Sequence, residues 1–370
     1  MKANHTPNLP PSSNGQTPTE VTVAHLEGFD DIIDVRSESE YEEDHLPGAL
    51  NFPVLNDQQR IEVGTLYKQV GAFEAKKLGA VWVSQNIARH LQQSFSDKPR
   101  QWRPLIYCWR GGGRSGAMAH VFSQIGWKVG RLSGGYKQFR TQVLLDLETL
   151  PTRYQWTVVC GMTGTGKSRF LQSLKKAGAQ VLDLENLAAH RGSVLGDLPD
   201  QPQPSQKFFD TQVWQALREF DPQKTVYVEA ESKKIGMLHV ADALIRSMWG
   251  SPTINLETPI AVRVEILKEE YAHFLENAQS LKTQLHCLRA LHGNQITTQW
   301  MALIEQQQWD TLTEQLLIQH YDPSYTKAIY QHYPNLEQSV KLSAHSALPG
   351  HFDQLAIDYL QQLNAAPHPA

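Results

Sequence analysis

The chain has 370 residues, a hydrophobic content of 41% and a net charge of −4. This length favours two domains, and the composition supplies enough apolar side chains for packed cores. The near-neutral charge argues against a general polyanion binder, and no apolar run approaches the roughly 20 residues of a membrane span. Three widely spaced cysteines without a CxxC pair argue against a disulfide framework and a structural zinc site; Cys160 and Cys287 are expected in the core.

The first residues are rich in Pro, Ser, Asn and Thr and lack the apolar region of a secretory signal. We expect a disordered lead-in over residues 1–18. The composition of the chain indicates a reduced, cytoplasmic protein with no membrane association.

The charges are unevenly distributed along the chain. Nine acidic residues and one basic residue lie between Glu27 and Asp44, and nine basic residues with no acidic one lie between Lys98 and Arg140. Ordinary surface charge is one explanation. An anionic substrate is the more economical one, because the basic segment contains a glycine-rich loop with a cysteine.

The predicted elements follow an α/β pattern. Strands alternate with helices, which is typical of a parallel sheet, and a polar, proline-containing stretch near Thr152 predicts a domain junction. Beyond Pro259 the apolar spacing is mainly helical, and it predicts continuous helices over Val262–Ala278 and Trp300–Tyr321. We predict an N-terminal parallel-sheet domain over 19–148 and a second α/β domain with a helical C-terminal part over 152–365. The clearest elements are strands at Asp31–Val35, Leu105–Trp109, Trp156–Cys160 and Lys224–Glu231, and a helix at Gly116–Gly126.

The stretch YCWRGGGRSG, from Tyr107 to Gly116, surrounds a thiol at the end of a predicted strand with glycine and arginine. A cysteine reacts as the thiolate, which needs positive potential nearby. The glycines let main-chain N–H groups turn inward, and with the start of the next helix they form a nest for an anion. A buried structural cysteine would need neither the glycines nor the arginines. We therefore predict catalytic roles for Cys108, Arg110 and Arg114 in an anion loop with Trp109, Gly111, Gly112, Gly113 and Ser115.

Two enzyme classes use such a loop: sulfur or selenium transferases and cysteine phosphatases. Cys108 and Arg114 have the C-x5-R spacing of the phosphatases, but Tyr107 stands where those enzymes usually have His. The segment DIIDVRSESEYEEDHLPGALNFPV and the turn LSGGY (Leu132–Tyr136) resemble the rhodanese signature. The loop is one residue longer than in most rhodaneses, which suggests a larger acceptor than thiosulfate chemistry requires.

The stretch GMTGTGKS, from Gly161 to Ser168, fits G-x-x-x-x-G-K-[ST] completely and lies between a predicted strand and a predicted helix. Such a loop cradles phosphates with main-chain N–H groups, while its lysine reaches an outer oxygen and its serine can ligate Mg²⁺. ATP is the default ligand, but no adenine-binding signature is present, and a diphosphate on another group stays open. The predicted phosphate-binding residues are Gly161, Thr163, Gly164, Thr165, Gly166, Lys167 and Ser168.

Glu229 and Glu231 are candidate acidic partners of this phosphate loop, because they end a predicted strand of the same domain. Neither is the usual aspartate. They are able to bind a metal through water or contact another ligand, and a solvated strand end is the alternative. Ala230 between them weakens the metal-binding interpretation.

A rhodanese module followed by a P-loop module resembles the tRNA 2-selenouridine synthase family, also called tRNA 2-thiouridine geranyltransferase/selenotransferase. The two loops carry the resemblance together with DLENLAAHRGSVLG, QPSQKFFD, VEAESKKIG and YDPSY. It implies a transferase that S-geranylates 2-thiouridine at wobble position 34 of tRNA with geranyl diphosphate. Selenium from selenophosphate then replaces the geranylthio group. Under this resemblance the P-loop grips the diphosphate and the rhodanese loop receives selenophosphate.

The resemblance also implies partners. It suggests an anticodon loop as substrate, an enzyme that supplies selenophosphate, and no tightly bound cofactor, with Mg²⁺ at Ser168 compatible. An apolar groove must hold the geranyl tail, and the helices after Pro259 are its candidates. Tyr321 and Tyr325 are candidates for base stacking or for core packing. Candidate tRNA phosphate contacts are His190, Arg191, Lys207, Lys233 and Lys234.

Two alternatives remain open from the residues. One is a rhodanese-type sulfurtransferase or C-x5-R phosphatase fused to a nucleotide-binding P-loop module. The other is a non-enzymatic docking or sensing module with a nucleotide switch.

Overall fold

The computed structural model describes residues 17–333 and 336–365. Internal contacts divide the chain into two units, Met1–Asp146 with Pro204–Gln215, and Leu147–Gln203 with Ala216–Ala370. The predicted lead-in therefore lies outside the described residues, apart from Thr17 and Pro18. The division at Asp146 falls close to the predicted junction near Thr152.

A five-stranded parallel sheet forms the centre of the first unit, with the strand order β1-β5-β4-β2-β3. Ile33 and the β4 residues Leu105 and Ile106 are fully buried, as expected of parallel strands covered on both faces. The strands are β1 (Thr19–Val21), β2 (Asp31–Asp34), β3 (Ala49–Asn51), β4 (Pro104–Tyr107) and β5 (Gly130–Leu132). The α-helices are α1 (Glu38–Glu43), α2 (Asp57–Gln69), α3 (Ala72–His90), α4 (Gly113–Ile125) and α5 (Gly135–Thr149), with a 3₁₀ segment at Val23–Gly28 and a π segment at Leu91–Phe95.

Residues 204–215 belong to the first unit, whereas the sequence pattern predicts them in the second domain. They form the start of α8 (Gln206–Glu219). The physical reason is a set of buried polar bonds: Arg140 pairs with Asp210, and the Thr211 hydroxyl donates to Asp44 at 3.1 Å. The Trp214 ring nitrogen donates to Asp146 at 2.7 Å. These partners are distant in sequence, so the local pattern of the segment does not contain them.

The second unit also has a five-stranded parallel sheet, with the order β12-β11-β6-β8-β7, and a two-stranded antiparallel ribbon of β9 and β10. The central strand β6 leads into the GMTGTGKS loop, so this loop lies at the carboxyl edge of the sheet, where parallel sheets place their sites. The strands are β6 (Gln155–Cys160), β7 (Gln180–Leu182), β8 (Thr225–Glu229), β9 (Lys234–Ile235), β10 (Leu238–His239), β11 (Thr253–Glu257) and β12 (Val340–Ser343).

Helices dominate the C-terminal part of the second unit, as the apolar spacing predicts. The predicted continuous helices are interrupted: Tyr271 separates α10 from α11, and Gln307, with φ of +56°, separates α13 from α14. The helices are α6 (Lys167–Lys176), α7 (Leu184–Leu187), α9 (Asp242–Trp249), α10 (Ile260–Glu270), α11 (Ala272–Glu276), α12 (Ala278–His286), α13 (Arg289–Glu305), α14 (Trp309–Leu316), α15 (Asp322–His332) and α16 (Pro349–Ala365). Shorter segments are 3₁₀ turns at Leu150–Arg153 and Leu336–Gln338 and a π segment at Leu317–Tyr321. Within the described residues, none of the helices is long and apolar enough to cross a membrane.

Candidate functional site

The cysteine loop of the first unit connects β4 to α4 and forms an open main-chain cradle. Gly111 has a left-handed φ of +66°, which turns the chain back toward the start of α4. The N–H groups of Gly111, Gly112 and Gly113 donate to no other group in the described part of the chain. Free N–H groups beside a helix N-terminus attract an anion. The local geometry therefore matches the anion nest that the sequence predicts.

The Cys108 thiol lies beneath this cradle and is only 3% exposed. Its sulfur is 3.2 Å from the hydroxyl of Ser115, on the first turn of α4. The Cys108 carbonyl accepts from the N–H of Tyr136 at 2.8 Å, which ties the loop to the LSGGY turn. Gly135 fits against the loop because a Cβ there would stand 2.2 Å from the Cys108 carbonyl oxygen. This close approach explains the second glycine of that turn.

The two arginines of the loop have different surroundings. Arg114 makes an ion pair with Glu40 at 2.7 Å, and Glu40 also caps α1 through the N–H of Ser37. Burial alone would raise the pKa of Glu40. The hydrogen bond and charge of Arg114, together with the charge of Arg60 and the Ser37 N–H, outweigh burial and lower that pKa below its ordinary value. Arg110 is exposed and makes no ion pair with the described residues. Arg110 is therefore the unneutralised cation of the loop.

Most of the basic segment is neutralised within the first unit, which revises the sequence-based interpretation of its charge. Of its nine basic residues, five form ion pairs with carboxylates, and three of those carboxylates lie in the acidic segment between Glu27 and Asp44. An anionic substrate is therefore not needed to explain the whole segment. The five pairs are Lys98–Asp31, Arg103–Asp30, Arg114–Glu40, Arg131–Glu20 and Arg140–Asp210.

The phosphate loop of the second unit has the shape that its motif predicts. Gly166 has a φ of +86°, and a Cβ at this position would stand 2.4 Å from the ring of Phe352. Lys167 and Ser168, at the start of α6, line a pocket of about 510 Å³. Gly164, Thr163 and the first turn of α6 line that pocket, which has room for a diphosphate.

The functional side chains of the phosphate loop are held by neighbours in the same unit. Lys167 Nζ donates to the Gly161 carbonyl at 2.9 Å and lies 5.4 Å from the ring centroid of Tyr325. The Ser168 hydroxyl donates to Glu185 Oε2 at 3.0 Å. A lysine resting on loop carbonyls is able to move to a phosphate oxygen, since both positions lie along the same loop.

Four carboxylates gather beside the phosphate loop, after the ends of β7 and β8. The predicted pair Glu229 and Glu231 is joined by Asp183 and Glu185, and the Glu185 N–H donates to Glu229 Oε1 at 2.7 Å. Burial, followed by the neighbouring carboxylates, raises the pKa of Glu229 well above its ordinary value. Burial and Glu185 do the same for the pKa of Glu231, against the opposing charge of Lys167. The burial and crowding of these carboxylates therefore favour the protonated forms of Glu229 and Glu231.

The YDPSY stretch braces the phosphate loop. Asp322 makes a two-pronged ion pair with the buried Arg263, at 2.5 and 3.0 Å, and Arg263 Nε donates to the Thr163 carbonyl at 2.8 Å. The Tyr325 hydroxyl accepts from the N–H of Gly161 at 3.0 Å. Burial raises the pKa of Tyr325 well above its ordinary value, so it remains a neutral phenol. Both residues therefore hold the loop from the side of α15.

Comparison with known proteins identifies both units. A family model described as tRNA 2-selenouridine synthase AAA domain matches residues 154–292, and a rhodanese-like domain model matches residues 18–142. A tRNA 2-selenouridine synthase from Hydrogenovibrio crunogenus is 36% identical over 67% of this chain and 69% of its own length. One from Shewanella halifaxensis is 30% identical over 80% of this chain and 87% of its own length.

The chain belongs to the tRNA 2-selenouridine synthase family. It matches 63% of the length of the Nitrosomonas europaea member, at 35% identity over 65% of this chain. The predicted fold class is confirmed: a rhodanese-like parallel-sheet domain precedes a P-loop α/β domain with a helical C-terminal part. The predicted family is confirmed as well.

The candidate tRNA contacts lie in different surroundings in this member of the family. His190 is 6% exposed, and its Nδ1 accepts from the N–H of Gly192 at 3.0 Å. Arg191 lines the phosphate pocket, and its Nη1 has no hydrogen-bond partner in the described residues. Lys207 pairs with Glu43 at 2.6 Å in the first unit. Lys233 pairs loosely with Asp242, and Lys234 is exposed.

Several residues of the second unit are not predicted from the sequence. Asp183 and Glu185 lie in the DLENL stretch. Their position directly after β7, a strand next to β8, is the feature that could have indicated them. Arg263 could not be predicted as a site residue, because its partners Thr163 and Asp322 are distant in sequence. Cys287 is exposed rather than in the core. It ends α12 on the solvent side, whereas Cys160 is buried as expected.

Proposed function

We propose that this chain converts 2-thiouridine at wobble position 34 of tRNA to 2-selenouridine through S-geranyl-2-thiouridine. The observation that carries the proposal is the pair of anion sites, one in each unit. One has free main-chain N–H groups over the Cys108 thiol, and the other has the P-loop with Lys167. Two steps with two different phosphorus-containing donors need two such sites. The reaction takes place in the cytoplasm, where tRNA is found.

The first step is assigned to the P-loop unit. The sulfur of 2-thiouridine attacks C1 of geranyl diphosphate, the C1–O bond breaks, and pyrophosphate leaves with the electron pair. The N3 proton of the base is released to solvent. Lys167 and the N–H groups of Gly164, Gly166 and Ser168 stabilise the charge that develops on the leaving group. Alkylation turns a poor leaving group, the thiocarbonyl sulfur, into a good one.

The second step is assigned to the rhodanese unit. The Cys108 thiolate attacks phosphorus of selenophosphate, the P–Se bond breaks, and hydrogen selenide is released. Selenium then attacks C2 of the modified uridine, the C2–S bond breaks, and geranylthiol leaves. Water hydrolyses the phosphorylated cysteine to phosphate and the free thiol. This sequence needs no oxidant, whereas a Cys–S–Se carrier formed from selenophosphate would need one. Arg110 and the loop N–H groups bind the selenophosphate oxygens.

Mg²⁺ would bind in the phosphate pocket together with the diphosphate. The described residues hold no cluster of three or more His, Cys, Asp or Glu side chains arranged around a metal. Mg²⁺ commonly binds through substrate phosphates, water and one or two protein ligands. Ser168 and the neighbouring Glu185 would be these protein ligands. The ion would neutralise the diphosphate beside the carboxylate cluster.

The decisive experiment is mass spectrometry of the wobble nucleoside. Purified protein is incubated with thiolated tRNA and geranyl diphosphate, with and without selenophosphate. The wild-type chain is expected to yield S-geranyl-2-thiouridine alone and 2-selenouridine when selenophosphate is added. Lys167→Ala should yield neither product, and Cys108→Ser should retain geranylation and lose selenation. Loss of both products in a folded Cys108→Ser protein would overturn the division of the two steps.

A further inference from the structure

An apolar cavity adjoins the phosphate pocket of the second unit. Its lining comes from α10, α11, α12, α14 and the π segment after α14. Phe274, Leu281 and Leu312 are 5% exposed or less and face each other in one hydrophobic cluster. The cavity therefore lies in the helical region after Pro259.

The cavity and the phosphate pocket are neighbours that share part of their walls. Thr163 of the P-loop, Leu267 of α10 and Tyr271 line both of them. Arg191 lies over the Tyr271 ring, 4.9 Å from its centroid. A ligand with an anionic head at the P-loop therefore meets apolar surface on the side of Leu267 and Tyr271.

The lining suits a hydrocarbon better than a nucleobase. The Tyr271 hydroxyl bonds with Ser193 at 3.2 Å, and Lys268 pairs with Asp310. The Thr163 carbonyl accepts from Arg263. These three polar groups are already engaged, and eight of the fourteen lining residues are leucine or phenylalanine. Most of the wall therefore offers the edge of a base no partner, which is costly for buried polar groups. An alkyl chain needs no such partners and gains from leaving water.

We propose that this cavity binds the isoprenoid chain of a prenyl diphosphate whose diphosphate lies on the P-loop. The inference rests on the proposed function and locates its tail site. Leu267 and Tyr271 stand at the shared mouth, and Leu281, Leu312 and Thr313 line the apolar part only. The cavity has a volume of about 60 Å³, which is smaller than a ten-carbon chain. Entry of the chain would therefore require the lining side chains to rotate apart.

Two neighbouring threonines of α14 provide a matched test. Thr313 lines the cavity and is half-buried, whereas Thr311 is exposed and does not line it. Residues two apart on a helix face nearly opposite sides. Thr313→Glu therefore places a charge in the cavity, and Thr311→Glu places the same charge in solvent. Leu275→Trp, at a half-buried position of the lining, fills the cavity without adding charge.

The measurement is calorimetric binding of geranyl diphosphate, dimethylallyl diphosphate and inorganic pyrophosphate to the full chain. The wild type should bind geranyl diphosphate at least tenfold more tightly than pyrophosphate. Thr313→Glu should lose at least tenfold in geranyl diphosphate affinity and keep its pyrophosphate affinity, which also shows that it is folded. Leu275→Trp should weaken geranyl diphosphate more than the five-carbon dimethylallyl diphosphate. Thr311→Glu should behave as the wild type.

The outcomes separate the two proposals. If the wild type binds geranyl diphosphate no better than pyrophosphate, the geranylation proposal itself fails. A second outcome is that the wild type binds geranyl diphosphate more tightly than pyrophosphate and that Thr313→Glu and Leu275→Trp bind both ligands as the wild type does. The isoprenoid chain then lies elsewhere. The cavity assignment is then wrong while the proposed function stands. A variant that loses pyrophosphate binding is replaced by Leu275→Phe, to which the same criteria apply.

Discussion

Glu229 shows at the scale of one residue how the phosphate pocket couples to pH. Its side chain is 2% exposed, Oε1 accepts from the Glu185 N–H, and Oε2 has no partner in the described residues. Burial and the three nearby carboxylates raise its pKa. A carboxyl whose folded pKa is raised stabilises the fold below its unfolded pKa, near 4.5. That stability is lost as pH rises through the folded pKa.

Glu229→Gln should therefore make stability less dependent on pH. Glutamine keeps an oxygen for the Glu185 N–H but does not ionise. We expect the decrease of the unfolding free energy with pH, above pH 4.5, to become less steep by about 1 kcal/mol per pH unit. Some pH dependence should remain, because the other carboxylates still titrate. Denaturant unfolding from pH 5 to 8 measures this slope. The exposed Glu337→Gln is the control, and an equal slope in both variants would show that Glu229 is ionised in the folded chain.

The residues that the sequence predicts best are those whose partners are close in the chain. Cys108 and Lys167 lie next to the main-chain N–H groups of their own loops, so a short motif contains the whole arrangement. Glu185 meets Ser168 only after the chain has passed through α6 and β7. Arg263 reaches the Thr163 carbonyl from α10. Such pairs depend on how the elements pack, which no local pattern specifies.

At the scale of elements, α15 stabilises the P-loop through α10. The side chains of Arg263 and Asp322 are 6% and 22% exposed, so the pair is largely removed from water. Removing one member of such a pair leaves a buried charge without its partner. Asp322→Ala should therefore lower the unfolding free energy by about 3 kcal/mol. Asp310→Ala breaks the exposed pair with Lys268 on the same α10 and should cost less than about 1 kcal/mol.

Replacing both members separates stability from loop geometry. Arg263→Met with Asp322→Leu should recover most of the lost stability, because no buried charge remains. It should still bind pyrophosphate more weakly than the wild type, since the Thr163 carbonyl has lost its donor. Chemical unfolding and calorimetry measure the two effects. If Asp322→Ala costs no more than Asp310→Ala, the α15 pair does not brace the loop.

The observed bounds of the strands and helices also show which features the sequence pattern predicts and which it does not. The strands β2, β4, β6 and β8 lie within a few residues of their predicted bounds, because short buried runs between turn residues are distinctive. The predicted helix from Trp300 to Tyr321 is broken at Gln307, whose left-handed backbone starts α14 in a new direction. A run of glutamines gives no warning of such a break. That break orients the helix that carries Leu312 and Thr313.

At the scale of the whole molecule, the two loops are complete within their own units. Each takes its N–H groups, cations and bracing residues from a single unit. The proposed intermediate, S-geranylated tRNA, is a stable covalent product of the first step. The two steps therefore do not require both loops to be intact in the same copy of the chain.

This independence predicts complementation between two inactive variants. Cys108→Ser makes S-geranylated tRNA and stops, and Lys167→Ala has an intact rhodanese loop but makes no intermediate. Mixed with thiolated tRNA, geranyl diphosphate and selenophosphate, they should together form 2-selenouridine, more slowly than the wild type because the intermediate must change proteins. Mass spectrometry of the nucleoside measures the product. If Lys167→Ala fails to convert S-geranylated tRNA made beforehand, although folded, the P-loop also serves the second step and the loops do not act independently.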